Sequence, residues 1–169
     1  LLEVITNSKE SLEAMKGTIT CIEYDRIDLA YQKQINLKTG KLVGLEALLR
    51  LRDEDGNIIP NDKFIPLIEG ESLFSLVVMS SLQKLKKAFE LKNEFDMNGV
   101  TIYLNVSAHT AMQDNFTKIF ADFVKDLNLK PGELGLEITE TAELSDVKKA
   151  GESFLSLIHI SEPTRPTWI

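Results

Sequence analysis

The alternation of strand and helix patterns from residue 100 onward constrains the fold more than any other feature of this chain. Val100–Val106 predicts a buried strand, and Asp114 can cap the helix that follows, whose apolar residues recur at three- and four-residue spacing. Leu134–Thr139 predicts another strand, and Ser145 can cap a helix from Asp146 to about Leu157. Strands joined by helical crossovers pair in parallel. The second half of the chain therefore predicts a parallel α/β sheet.

A hairpin pattern precedes these units. Leu29–Leu37 and Lys41–Leu51 alternate well enough for strands, and the turn residues Lys38–Gly40 separate them. This pattern predicts an antiparallel strand pair ahead of the parallel strands. Such an order suits a barrel variant or an open α/β sheet. In either fold, chemistry is expected at the carboxyl ends of the strands.

The segments around the hairpin predict less regular structure. Residues 1–28 are interpreted as a lead-in or linker that contains a short helix ended by Gly17. A loop is predicted around Pro60 and Pro66. The longest helical pattern in the chain covers residues 72–95, where an apolar stripe lies opposite several lysines.

Both ends of the chain are unusual. The sequence begins with Leu1 rather than methionine, which favours a piece of a longer polypeptide. The tail over residues 158–169 contains two prolines and no apolar period, and it resembles translated vector sequence. The tail is therefore interpreted as not native, and a length of 169 residues suits one domain.

The bulk composition narrows the functional classes. A net charge of −7 and a pI of about 4.9 argue against broad nucleic-acid binding, so no DNA or RNA partner is predicted. Cys21 is the single cysteine, and no apolar run approaches the roughly 18 residues of a membrane span. A cytoplasmic location is predicted, although a parent protein can be membrane-tethered through another segment. An acidic protein that binds an anionic substrate needs clustered arginines or divalent cations.

Several polar residues interrupt strands that are otherwise apolar. They are Gln32, Glu46, Arg50, Asn105 and Glu137. Glu46, Leu48 and Arg50 share one face of their strand because side chains alternate along it. A carboxylate and a guanidinium are costly to bury in an apolar strand. The pattern therefore favours a functional role for this face.

Each of these residues also has a structural interpretation. Arg50 can neutralise Glu46 from the same face, Asn105 can cap a turn, and Gln32 can face solvent. A lone strand carboxylate is more often paired or solvated than bound to a metal. Two carboxylates and one amide oxygen on three separate strands, however, form a set of hard oxygen ligands. Such a set predicts Mg²⁺ or Mn²⁺ rather than zinc.

The motifs around these residues occur in an order typical of one family. The segments are Tyr31–Ile35, Thr39–Arg50 with Glu46-Ala47-Leu48 inside it, Phe64–Glu69, Leu104–Ala108 and Leu136–Glu140. On these segments the chain resembles the EAL domain family of cyclic di-GMP phosphodiesterases, over roughly residues 29–157. Lys33 stands where the family usually has proline, which is a mild departure.

The resemblance implies an α/β fold that is part of a TIM-barrel-like domain, with an antiparallel first strand pair followed by parallel strand–helix units. It implies a site for Mg²⁺ or Mn²⁺ whose ligands are Glu46, Asn105 and Glu137. It implies that Arg50 grips a phosphate and Gln32 contacts the nucleotide. It implies further residues that line the site, namely Leu48 and Glu140. The expected partner is cyclic di-GMP, hydrolysed to the linear dinucleotide.

The chain departs from the family pattern after Glu140. The pattern continues with an Asp-Asp-Phe-Gly strand end, a lysine and a further glutamate, whereas here no Asp follows Asp146 and no Lys follows Lys149. We therefore expect the amino-terminal half of a phosphodiesterase that is inactive as this chain, with no catalytic residue assigned. Half a barrel leaves apolar faces and a strand edge uncovered, so aggregation or dimerisation is expected.

Two other hypotheses remain open. A degenerate EAL module would bind cyclic di-GMP or a partner protein without catalysis, and an unrelated α/β domain would share the motifs by coincidence. In a parent protein, a homodimer and an upstream sensor or GGDEF domain are expected partners.

Overall fold

The computed structural model describes residues 2–68 and 72–138. The predicted helix from Asp146, the tail from residue 158 and the lining residue Glu140 lie outside the described residues. The elements are α1 Leu2–Glu23, β1 Ile27–Ile35, β2 Leu42–Arg52, β3 Ile58–Ile59, α2 Asn61–Ile68, α3 Ser72–Glu94, β4 Thr101–Val106, α4 Ala108–Ala111, α5 Asp114–Asp126 and β5 Leu134–Ile138.

The strands form one mixed sheet with the order β1-β2-β4-β5. β1 pairs antiparallel with β2, whereas β2 with β4 and β4 with β5 pair in parallel. The two-residue strand β3 pairs with the carboxyl end of β2, beyond the part of β2 that pairs with β4. The predicted antiparallel pair followed by parallel strands is therefore confirmed.

The core lies between one face of this sheet and the helices. Ile27, Ala47, Leu51, Ile102 and Leu104 alternate along their strands and are all at most 3% exposed. Helices α1, α2, α3 and α5 pack around this face or against one another. This side of the sheet is called the outer face below. The helices cover this face because its side chains are apolar and need burial.

The helix α1 is longer than the sequence predicts. It runs through Gly17 without ending, so the expected stop at that residue is wrong. Glycine costs a helix interior about 1 kcal/mol relative to alanine. Packing of the next turn outweighs that cost, because Thr18 and Cys21 are 1% and 3% exposed. Burial also raises the pKa of the Cys21 thiol, which donates to the carbonyl oxygen of Arg52 at 3.3 Å.

Two further predictions differ from the structure. The loop expected around Pro60 and Pro66 contains the helix α2, which has Pro66 inside it. Phe64 and Ile68 on α2 are buried, and this packing holds a helix that proline weakens. Asp114 does not cap α5: the N-cap is Gln113, which makes no side-chain cap hydrogen bond. Asp114 lies in the first turn instead, where its negative charge interacts favourably with the positive end of the helix dipole.

A buried ion pair joins the end of α3 to the start of β5. Lys92 is only 4% exposed at its side chain, and its Nζ lies 2.8 Å from Glu133 Oε1. The other carboxylate oxygen of Glu133 accepts from the backbone N–H of Lys130 at 2.8 Å. That N–H and then Lys92 hold the pKa of Glu133 below its ordinary value. The pair therefore contributes more to stability when Glu133 is ionised.

Leu85→Ala tests the core position of α3. Leu85 is fully buried and Leu76 on the same helix is 50% exposed. We expect Leu85→Ala to lower the free energy of unfolding by about 2–5 kcal/mol, since it removes packed methylenes and leaves a cavity. Leu76→Ala, the matched control, should change it little. Urea denaturation measures both, and equal losses would contradict the assigned orientation of α3.

Glu133→Gln tests the pH dependence of stability. Because the folded pKa of Glu133 is lowered, its contribution is complete above the ordinary value of 4.5 and is lost as the pH falls through the folded pKa. We expect the variant to lose about 1.5–3 kcal/mol at neutral pH, since Lys92 is left without its charged partner.

The measurement is urea denaturation from neutral to acid pH. The difference between wild type and Glu133→Gln should shrink below pH 4.5. Glu90→Gln removes the exposed partner of Lys87 and serves as the control, with little effect at any pH. A difference for Glu133→Gln that is constant with pH would contradict the lowered pKa.

Candidate functional site

The sheet register places most of the predicted site residues on one face. Gln32 lies opposite Glu46 across the β1–β2 pair, and Asn105 lies opposite Glu137 across the β4–β5 pair. Residues that are paired across a sheet point to the same side of it. Glu46 is also paired with Tyr103, two residues before Asn105 on the same side of β4. These residues lie on the side of the sheet away from the buried core, which is called the inner face below.

Glu46 and Asn105 are in direct contact. Asn105 Nδ2 donates to Glu46 Oε1 at 2.8 Å, which joins β2 to β4 through their side chains. Both residues are half-buried. The amide nitrogen of Asn105 points at Glu46, so the amide oxygen, Asn105 Oδ1, remains free to accept. No hydrogen bond to that oxygen occurs among the residues described. The structure thus brings together two of the three predicted metal ligands.

Glu137, the third predicted ligand, has a different partner. Gln34 Nε2 donates to Glu137 Oε1 at 3.4 Å, from β1 across to β5. This contact connects the two outermost strands of the four that share the inner face. Gln34 is therefore a further residue of this face that the sequence pattern did not single out. Its spacing of two from Gln32, which puts both on one face of a strand, was the available signal.

The donor types fit a hard divalent cation. Two carboxylates and an amide oxygen, from Glu46, Glu137 and Asn105, are the ligand types that Mg²⁺ and Mn²⁺ prefer. Within residues 2–68 and 72–138, no three His, Cys, Asp or Glu residues form a group that could hold a metal ion. The amide oxygen of Asn105 is therefore needed to complete three oxygen donors from the residues described.

Arg50 does not neutralise Glu46. Its Nη1 donates to the carbonyl oxygen of Leu49 at 2.7 Å, and no ion pair to Glu46 occurs in the described part of the chain. Four residues along a strand separate the two by about 13 Å. The guanidinium has five N–H donors, so it retains donors for an anion.

The two other structural interpretations have different outcomes. Asn105 does not cap the turn after β4. Ser107 caps it instead, because its Oγ accepts from the backbone N–H of Thr110 at 3.1 Å. Gln32 is exposed, so it faces solvent and lies on the inner face at the same time. Leu48 is half-buried between Glu46 and Arg50 on that face.

Tyr103 fills the inner face below Asn105, and it was also missed from the sequence. A Cβ added to Gly44 would lie 2.8 Å from the Tyr103 ring, and one added to Gly135 would lie 2.6 Å from it. The two glycines flank Tyr103 on the neighbouring strands. The same added Cβ on Gly44 would lie 2.5 Å from Gln34 Oε1. Glycine in a strand can mark such a close approach, which was the available signal.

Gly135→Ala tests this packing. We expect the substitution to lower the free energy of unfolding by about 1–3 kcal/mol, because the new methyl group overlaps the Tyr103 ring. In a Tyr103→Ala background the same substitution should cost much less. The measurement is a double-mutant cycle by urea denaturation.

Gly17→Ala is the matched control, since no atom lies within 4 Å of the position its Cβ would take. Gly17→Ala should raise the free energy of unfolding rather than lower it, by up to about 1 kcal/mol, because alanine has the higher helix propensity. Additive effects of Gly135→Ala and Tyr103→Ala would contradict the contact.

Similarity to known proteins gives evidence on the family of this chain that does not depend on the geometry of the site. The family model of the EAL domain matches residues 14–159. The cyclic di-GMP phosphodiesterase PdeA of Borreliella burgdorferi is 30% identical over 141 residues, which is 82% of this chain and 21% of that protein. The signaling protein YkoW of Bacillus subtilis is 26% identical over 139 residues, which is 82% of this chain and 17% of that protein.

Solved structures show the same fold. The EAL domain of Xanthomonas citri FimX in complex with c-diGMP superposes with a TM-score of 0.72 at 14% identity, covering 90% of this chain and 58% of that one. The EAL enzyme Bd1971 in its cGMP-bound form also gives 0.72, at 18% identity, covering 91% and 44%. The chain thus spans about a fifth of the curated relatives and about half of the solved chains. Among the residues that the structure describes, no helix combines the length and the hydropathy that a membrane span requires.

Proposed function

The chain belongs to the EAL domain family, and we propose that it is the amino-terminal half of a metal-dependent cyclic di-GMP phosphodiesterase. The observation that carries the proposal is the 2.8 Å hydrogen bond between Asn105 and Glu46, with Glu137 in register beside Asn105. Relatives named cyclic di-GMP phosphodiesterases and solved EAL domains in complex with c-di-GMP support it.

In this proposal Glu46, Asn105 and Glu137 hold Mg²⁺ or Mn²⁺ at the inner face. When bound, the cation neutralises phosphate oxygens and lowers the pKa of a coordinated water. The carboxylates supply the negative charge that retains the cation. This arrangement explains how a chain with a net charge of −7 can take a dianionic substrate.

In this proposal the remaining residues of the inner face bind the dinucleotide or orient a metal ligand. Arg50 donates to a phosphate through the N–H groups that Leu49 does not use. Gln32, exposed opposite Glu46, contacts the nucleotide, and Leu48 lines the site between Glu46 and Arg50. Gln34 holds the carboxylate of Glu137 in one orientation through its donated hydrogen bond. Glu140 is proposed as a further lining residue.

The polypeptide of 169 residues is proposed to bind the cation but not to turn the dinucleotide over. A two-metal site needs more ligands than two carboxylates and one amide, and the group that activates water is not assigned to any residue here. A homodimer, an upstream sensor or GGDEF domain and a cytoplasmic location remain predictions for the parent protein.

A degenerate EAL module that binds cyclic di-GMP or a partner protein without catalysis is the second candidate. It is favoured by exposed Gln32 and by the N–H donors of Arg50 that Leu49 does not use, because both side chains can contact a nucleotide without a cation. In that case Arg50 and Gln32 would act on the nucleotide without a cation.

Titration with Mn²⁺ and Mg²⁺ tests the metal site, read as the midpoint of thermal unfolding. A cation at 100 times its dissociation constant should stabilise the chain by about 2.7 kcal/mol. Glu46→Gln and Glu137→Gln should each remove most of this shift, because each deletes one anionic ligand. Glu90→Gln, on the exposed side of α3, is the control and should keep it. A shift that survives both site variants would contradict the assigned ligands.

Calorimetry with cyclic di-GMP, with and without the cation, separates the two candidates. Binding that requires the cation and is lost in Glu46→Gln supports the phosphodiesterase site. Binding that is independent of the cation but lost in Arg50→Ala supports the binding module. No binding under either condition contradicts both the phosphodiesterase site and a module that binds the nucleotide.

A further inference from the structure

A cavity of about 280 Å³ lies behind the sheet, between its outer face and the helices α2 and α3. Its walls are mainly aliphatic and aromatic, with contributions from both helices and from β1, β2 and β4. They include Leu49, Leu104, Ile65, Phe74 and Val78. None of the described side chains that line it is charged. The cavity therefore suits a neutral, largely apolar molecule.

The cavity is where the strands β2 and β4 separate. Their pairing ends at Ala47 and Leu104, and residues at and just after this point, Leu48, Leu49 and Asn105, line the cavity. Beyond that point β2 pairs with β3 instead. The space is therefore set by the strand geometry rather than by one small side chain.

Asn61 gives this cavity one polar feature. Its Oδ1 is buried without a hydrogen-bond partner among the described residues, and Asn61 lines the cavity. The other polar side chains of the lining already have partners: the Ser81 hydroxyl donates to the carbonyl oxygen of Val77 at 2.8 Å, and Asn105 Nδ2 donates to Glu46 Oε1 at 2.8 Å. A buried acceptor without a donor is costly, so a ligand that brings one donor would remove that cost.

We propose that this cavity binds a small neutral aromatic molecule that carries one hydroxyl group, with the hydroxyl donating to Asn61 Oδ1. Cavities of about 150 Å³ lined by Leu, Ile and Phe bind benzene. The present volume holds a single ring and a hydroxyl. The ring lies against Phe74 and Val78, and the hydroxyl satisfies the orphaned acceptor. Asn105, one of the proposed metal ligands, also lines the cavity. The proposal uses neither its side chain nor a metal ion, so it does not depend on the proposed function.

Phenol and benzene are the probes, and binding to the whole chain is measured by ligand-observed NMR titration. Phenol should bind about 3- to 10-fold more tightly than benzene, the range expected for one added neutral hydrogen bond. Asn61→Ala should abolish this preference while benzene still binds. Asn93→Ala, an exposed asparagine on α3, is the matched control and should keep the preference.

Val78→Phe tests the location by filling the cavity. It should weaken both probes, provided that its thermal unfolding stays cooperative, and Asn61→Ala tests the location independently if it does not. The proposal is overturned if neither probe binds to the wild-type chain, if phenol and benzene bind equally, or if the preference for phenol survives Asn61→Ala.

Discussion

The structure depends on the position of β2 inside the sheet. β1 pairs with one edge of this strand, while β4 and β3 pair with the other. The side chains of β2 therefore point only to the two faces of the sheet. On the outer face, Ala47 and Leu51 are 1% exposed and pack under the helices. On the inner face, the side chains of Glu46 and Arg50 are half-buried and keep access to water. A one-residue shift in register would exchange these sets and bury both charges, which fixes the register strongly.

The limited pairing of β2 with β4 has two results. The ladder covers only Gly44–Ala47 and Thr101–Leu104, after which β3 takes over the edge of β2. On the inner side, the opening leaves room for Asn105 to reach Glu46 with its side chain. On the outer side, it leaves the cavity next to Asn61. The candidate metal site and the cavity thus meet at Asn105, which contacts Glu46 and also lines the cavity.

Sequence periodicity was sufficient for β1, β2, β4 and β5 and for their directions, because strands buried on one face leave a clear alternation and parallel strands need helical crossovers. It did not predict the two-residue strand β3. It failed where tertiary packing outweighs local preference, as at Gly17 and Pro66, which lie inside helices that buried neighbours stabilise. For Gln34 and Tyr103 the sequence held only a weak signal, the spacing from Gln32 and the glycines in neighbouring strands, because their partners are on other strands and depend on register. The metal and substrate roles drawn from the family resemblance remain proposals, while the contact of Asn105 with Glu46 is a property of the structure.

The ring of Tyr103 links two positions that are far apart in the chain. Gly44 and Gly135 both lie against it, and neither has space for even a methyl group while the tyrosine is present. During evolution, a larger residue at either glycine would be accepted only after Tyr103 had become smaller. The order of substitutions is therefore constrained, and three sites on three strands should vary together among close relatives.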